Sequence, residues 1–298
     1  MPSKQNCSLV VRLVGTVLPV MSLWGLPSAA QNPATLHDPI RVVEPRLVES
    51  SGLAISRRTH GVFWTHNDSG GKAELFAFDL TGQSVGHLRF PGIRTAVDWE
   101  DMVSYVDNEV PRLLVADCGD NGENRSSVML YLFDEPSLDS DGSDVILQSL
   151  RVTYTDGPRD CEAVAVDRQR RLIVMVTKSA LPYCGVYTIP LPDRISADPA
   201  SSMDVVATRV TTLNVPMVTG ADFDDATGDF WIVNYFQAFR YAAVESRPLL
   251  DQLSALPTAT DLPKLRQIEA VAVDQSSRLW ITSEGNPTWV TKVPTAKP

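Results

Sequence analysis

The chain has 298 residues, with 26 basic and 36 acidic side chains and a net charge of −10. That length is ample for one large core, since all-β units commonly reach about 250 residues. The acidic balance repels phosphate backbones, so nucleic acid is excluded as an expected partner.

Near the start, Lys4 and Arg12 precede an apolar run, LVGTVLPVMSLWGLP (13–27), followed by the small residues Ser28 and Ala30. This order predicts a signal peptide over 1–30, cleaved after Ala30, and an exported protein, periplasmic or extracellular. The run is shorter than the ~20 residues of a spanning helix and contains Pro19 and Pro27. No later segment is long and apolar enough either, so no membrane span is expected after cleavage. Losing Lys4 and Arg12 takes the charge from −10 to −12. Residues 31–38 read as a flexible segment and 39–298 as a single domain. Cys118, Cys161 and Cys184 remain. An oxidising compartment predicts one disulfide among them and one leftover thiol, in any of three pairings.

The string EAVAVD occurs at 162–167 and 269–274, an offset of 107 residues, or two units of about 53. SGLAIS (51–56), WEDMVS (99–104) and TGADFD (219–224) fill the gaps. Aligned, Gly52, Glu100, Glu162, Gly220 and Glu269 become equivalent. Each string leads through a turn to a second apolar run: GVFWTHND, RLLVADCG, RLIVMVTK, DFWIVNYF and RLWITSEG. A third strand-like run follows in every unit, and SVGHLRF, ILQSLRVTY and VVATRVTTL supply a fourth strand in the first three. The reading is all-β: a five-bladed β-propeller. Small residues at Gly52, Ala54, Ala163, Ala165, Gly220, Ala221, Ala270 and Ala272 suit first strands crowded towards an axis. IRVVEPRLV (40–48) is a strand without a blade and is expected to close the ring on the outer edge of the last blade, where Pro45 is tolerable. The Pro-rich segment 245–265 leaves the fourth blade's outer strand unclear, and a six-bladed ring using it is the alternative.

In such a blade the start of the first strand and the end of the second share one face. First-strand starts contribute Glu49, Asp98, Glu100, Asp101, Asp160, Glu162, Asp222 and Glu269 to one channel mouth. Second-strand ends add His66, Asn67, Asp68, Asp117, Asp120, Asn121, Lys178, Asn234, Tyr235 and Glu284. Of these, Asn67, Asp68, Asp117, Asn121, Lys178, Tyr235 and Glu284 are the expected ligand-binding set. Converging carboxylates must share protons, pair with cations or hold a metal. The oxygen-rich set around Glu100, Glu162 and Glu269 predicts calcium, unless these glutamates simply accept backbone N–H groups of a neighbouring blade. DCGDNGENR (117–125) lacks the glutamate of a calcium-binding EF-hand loop and reads as a turn. No activated nucleophile appears. His66 is the one mature histidine expected at the mouth, and thus the candidate base.

The quoted motifs, with DWEDM, CEAVAVD and SEG, resemble exported bacterial propellers of the gluconolactonase-like, NHL-type and esterase-like phytase-type class, over most of 47–293. In lactonase-like members, Glu, Asn and Asp around the axis bind a divalent metal, often calcium. The resemblance implies such roles for Glu162 or Glu269, Asn67, Asn234 and Asp222. Five units where those families usually have six, and three axial glutamates rather than one, mark departures. The expected function is binding of a small ligand or protein partner at an acidic, calcium-bearing mouth. The alternative is a metal-dependent hydrolase of esters or lactones using metal-activated water.

Overall fold

The computed structural model describes residues 38–93, 96–179, 181–195 and 202–294. The chain divides into two units, Met1–Thr35 and Leu36–Pro298. The expected signal peptide lies outside the described residues, as does the flexible segment apart from Asp38. No described helix is long and apolar enough to cross a membrane.

Among the described residues, every element but one short helix is a strand. β1 (Ile40–Arg41) comes first. Four antiparallel strands follow: β2 (Ser50–Ile55), β3 (Val62–Asn67), β4 (Glu74–Asp79) and β5 (Ser84–Arg89). The second meander holds β6 (Trp99–Asp107), β7 (Val110–Asp117), β8 (Val128–Asp134) and β9 (Gln148–Tyr154). The third holds β10 (Cys161–Asp167), β11 (Leu172–Thr177), β12 (Cys184–Pro190) and β13 (Ser202–Leu213). The fourth runs β14 (Val218–Phe223), β15 (Phe230–Asn234), β16 (Gln237–Tyr241), then α1 (Leu249–Leu253) and β17 (Thr258–Asp261). The last comprises β18 (Ile268–Val273), β19 (Leu279–Ser283) and β20 (Trp289–Lys292), with β1 paired on β20.

The predicted apolar runs thus form strands. The Pro-rich tail supplies the fourth meander's outer strand: Gln237 pairs with Asp261, and Arg240 with Thr258. The second and third meanders merge into one eight-stranded sheet, which the sequence reading did not anticipate. β13 is long enough to pair twice. Its first half runs parallel to β9 (Val205 opposite Val152), and its second half antiparallel to β12.

The predicted strand 40–48 is shorter than expected. Ile40 and Arg41 pair with Val290 and Trp289, and Val43 then bridges to Gln83 in the first meander. Pro45 has no N–H to extend a ladder, and the chain turns there, with Leu47 N donating to Glu44 O (3.0 Å).

First strands pack on first strands: β2 on β6, β6 on β10, β10 on β14, β14 on β18, and β18 on β2. Small residues allow that approach. A Cβ on Gly220 would stand 2.9 Å from Ala270 Cα. Apolar clusters fill the spaces between neighbouring meanders, such as Trp64, Trp99 and Phe133 between the first two, and Phe63, Phe78 and Trp280 between the first and last. Two buried aspartates tie the inner strands together. Asp101 accepts from the N–H groups of Met102 (2.8 Å), Val164 (3.0 Å) and Ala221 (3.4 Å). Asp222 accepts from Phe223 and Val273 (both 2.8 Å).

Cys118, Cys161 and Cys184 are buried free thiols, so the expected disulfide is not formed. Cys118 Sγ donates instead to the Cys161 carbonyl (3.1 Å). Each sulfur packs as a small apolar group in a core cluster.

Candidate functional site: an acidic strand-end cluster

In every meander the pairing of first and second strands slips near the same end. The slips fall between Ser50 and Leu53, Trp99 and Asp101, Cys161 and Ala163, Val218 and Gly220, and Ile268 and Ala270. The unpaired residue is Glu100, Glu162, Thr219 or Glu269, and in the first meander it lies within Ser51–Gly52. A bulge frees its residue from the ladder and re-aims the side chain. Three of these positions carry glutamate. The repeat alignment is corrected by one residue in the fourth unit, where Thr219, not Gly220, is the equivalent.

Beyond the bulge, four meanders add one backbone contact. Asp68 N donates to Glu49 O (3.0 Å), Gly119 N to Asp98 O (3.2 Å), Lys178 N to Asp160 O (2.9 Å) and Glu284 N to Gln267 O (2.9 Å). Asp68, Gly119, Lys178 and Glu284 are therefore equivalent, and Tyr235 follows β15 in the corresponding place. Gly119 is the member without a side chain, and two carboxylates fill its room. A Cβ there would lie 2.5 Å from Asp98 Oδ2 and nearer still to Glu100 Oε1. Asp68, Asp98 and Glu100 each offer an oxygen, all three within 4.8 Å of one another. Asp68 Oδ1 is buried and has no hydrogen-bond partner.

Two ionised carboxylates at that separation repel by about 3 kcal/mol at an effective dielectric near 20. Protons are correspondingly hard to remove. Burial, then the charges of Glu49 and Glu284, raises Asp68. Burial, then Asp68, lifts Asp98 to about 6. Burial, then Glu162, Asp68 and Asp98, pushes Glu100 far above the carboxylate range. Glu269 rises to about 7 through burial and then Glu284. Lys178 is the cation among them: its Nζ stands 2.9 Å from Glu162 Oε2 and 5.9 Å from the centre of the Tyr235 ring. Burial works against the ammonium, but the Glu162 carboxylate outweighs it and holds Lys178 charged above its usual range. Glu162 is raised by burial and by Asp160, against the pull of Lys178.

The structure brings together Asp68, Glu100, Glu162, Lys178, Tyr235, Glu269 and Glu284 from the expected site residues, with Asp98, which the sequence places at the mouth without assigning it a role. It employs the others differently. Asn67 Oδ1 accepts from Val48 N (2.8 Å) and Glu49 N (3.0 Å), pinning the N-terminal crossover. Asp117 accepts from Val97 N and Asp98 N (both 3.2 Å) and from Arg125 Nη2 (2.8 Å). Asn121 is exposed on the turn after β7. Asp222 spends both oxygens on backbone N–H groups, and its charged neighbours are Arg57 and Asp225 rather than the clustered acids. Asn234 Oδ1 accepts from Phe236 N (2.9 Å) and Gln237 N (2.8 Å). The latch role considered for the glutamates is filled by Asp101 and Asp222.

His66 does not reach solvent. Its ring is fully buried, edge-on to Trp99 at 5.4 Å, with Nδ1 3.0 Å from the Asn67 carbonyl. Burial lowers it to about 4, so the imidazole is neutral. Sequence reasoning also missed an apolar rim. Val48, Val97, Leu181, Tyr183, Met217 and Phe236 are exposed on segments at this same end of the strands. The signal was present for two of them: Val48 and Val97 immediately precede the mouth acids Glu49 and Asp98.

No protein-family model matches the chain, and no curated protein does. Among solved structures it is similar to a glucose dehydrogenase, with TM-score 0.53 and 10% identity over 87% of this chain and 99% of that chain. A gluconolactonase from Xanthomonas campestris aligns at TM-score 0.42 and 12% identity, covering 87% of this chain and 96% of that one. A luciferin-regenerating enzyme aligns at TM-score 0.43 and 9% identity, covering 87% and 80%. At such identities likeness speaks for the fold alone: this chain folds as an all-β protein of β-propeller type.

Proposed function

We propose that this protein is an exported, five-bladed propeller, its ring closed by β1 on β20, that binds calcium at an acidic mouth and there holds a small ligand or protein partner. The observation that carries the reading is Asp68 Oδ1, a buried acceptor without a donor, grouped with oxygens of Asp98 and Glu100. A buried, unsatisfied carboxylate oxygen is costly, and an all-oxygen anionic set suits a hard cation. Asp68, Asp98 and Glu100 would hold the ion, which would add positive charge to that of Lys178 and Arg125 nearby. Glu162 is engaged by Lys178. The exposed apolar residues at the same strand ends suit a ligand with apolar surface.

The test is metal analysis of purified protein, with melting measured with and without chelator. Calcium at about 100 times its Kd adds about 2.7 kcal/mol, or about 5 °C for a domain of this size. An unchanged melting temperature together with no bound metal would end the proposal.

Hydrolysis of an ester or lactone is a second reading, favoured by one observation. Asp98, held near 6 and half-buried among the clustered acids, is poised to take and return a proton near neutral pH. Turnover of chromogenic esters or lactones that disappears in Asp98→Asn supports this reading, and silence across the panel removes it.

A further inference from the structure

Towards the opposite end of the strands lies one basic pocket. A cavity of about 400 Å³ opens between the first and last meanders, lined by Arg57, Arg58, Arg278 and Lys292, with Asp274 as its acid. Asp274 is already committed. Its Oδ2 accepts from Arg278 Nε (2.8 Å) and Trp280 Nε1 (3.0 Å), and its Oδ1 from Ser276 N (2.8 Å) and Arg278 N (3.1 Å).

The remaining cations are under-employed. Arg57 has a side chain only 4% exposed; its Nη2 pairs with Asp225 (3.5 Å) and donates to the Val273 carbonyl (3.4 Å), but its buried Nε has no partner. Arg58 and Lys292 make no ion pair among the described residues; Lys292 Nζ rests 4.7 Å from the centre of the Trp280 ring. One wall is apolar, formed by Ile55, Phe63, Leu80 and Trp280. A protein of net charge −10 that gathers four cations, two of them without an ion pair among the described residues, beside an apolar wall presents complementarity to one kind of molecule.

We propose that this cavity binds a small amphiphilic anion: an oxyanion, carboxylate or phosphate, carried on a compact apolar or aromatic body. The guanidinium groups of Arg57 and Arg58 and the Lys292 ammonium meet the oxyanion, supplying the acceptor that Arg57 Nε lacks. The body lies against Leu80 and the Phe63–Trp280 pair, whose rings stand 4.9 Å apart. The site does not depend on the acidic mouth.

The experiment titrates the full chain, in chelator and low salt, with benzoate, phenyl phosphate and inorganic phosphate, read by calorimetry and tryptophan fluorescence. At least one aromatic anion should saturate at one site per chain, with Kd on the order of 0.1–1 mM. Inorganic phosphate, lacking the body, should bind at least about tenfold more weakly, and salt should weaken both. Arg58→Ala with Lys292→Ala should reduce affinity at least about tenfold. So should Leu80→Asp, which sets an acid on the exposed wall; both variants should keep the parent melting temperature. Asp68→Asn should bind the anion as the parent does. No saturation by any probe at about 10 mM, or undiminished binding in both cavity variants, overturns the site. Equal affinity for inorganic phosphate overturns the requirement for an apolar body. A carboxylate that binds while the phosphate ester does not, or the reverse, identifies the headgroup and supports the site.

Discussion

Gly119→Ala is a sharp test of the proposed cation site because it moves two acids without removing a charge. Gly119 does not use the left-handed backbone region, so alanine brings no conformational strain of its own. Its Cβ would arrive 2.5 Å from Asp98 Oδ2 and closer to Glu100 Oε1, whereas ordinary contact begins near 3.4 Å. Asp98 must retreat by about 0.9 Å and Glu100 by more. Ligand distances in a working metal site are held to about ±0.2 Å, so two of three proposed oxygens leave coordination range. Calcium affinity should fall at least about tenfold, which is about 1.4 kcal/mol. The calcium-induced rise in melting temperature should shrink by about 3 °C. Calorimetric titration with calcium, alongside melting curves with and without it, reads both quantities. The cation-free protein should melt within a degree or so of the parent, since the displaced carboxylates gain water. If the variant binds calcium as tightly as the parent, the trio does not hold the ion and the reasoning fails.

Three further outcomes follow from the geometry. Because Glu269 is lifted from 4.5 to about 7, the folded chain keeps a proton that the unfolded chain has released, and this contribution to stability declines as pH rises between those values. Glu269→Gln should thus gain relative to the parent between pH 5 and 8, by up to about 3 kcal/mol in urea titrations; a flat difference contradicts the assignment. Asp101→Ala removes the acceptor of three backbone N–H groups and should cost about 3–5 kcal/mol of unfolding free energy; a loss below about 1 kcal/mol would deny it the latch role. The His66 resonances should not titrate between pH 8 and 5, since burial holds the ring neutral; a midpoint near 6.5 would show the ring open to solvent.

Much of the strand pattern was legible because local rules write it. Alternation, turn residues and the EAVAVD repeat mark units that cannot bury their faces alone, and the runs so marked became strands between β2 and β20, whereas β17 came from the Pro-rich segment that the pattern leaves unclear. The face-sharing rule also placed Glu100, Glu162, Glu269, Lys178 and Glu284 at one end of the strands, where the structure gathers them. Three-residue details escaped. The strand that the pattern extended to Val48 stopped at Arg41, and β13 paired beyond its own meander, because hydrophobic periodicity names a strand's faces but not its partners. The cysteines followed compartment statistics in the reading and core packing in the structure.

Composition and repeat alone determined that this chain is acidic, all-β and built from like units with acids at corresponding strand ends. Tertiary structure alone decided which of those acids share a site. Backbone donors captured Asn67, Asp117, Asp222 and Asn234, and the interior swallowed His66, whereas the missing side chain at Gly119 let Asp68, Asp98 and Glu100 converge. The reason is physical: a carboxylate's role depends on the donors within hydrogen-bond reach of it, and those come from strands distant in sequence, as Ala221 lies 120 residues from Asp101.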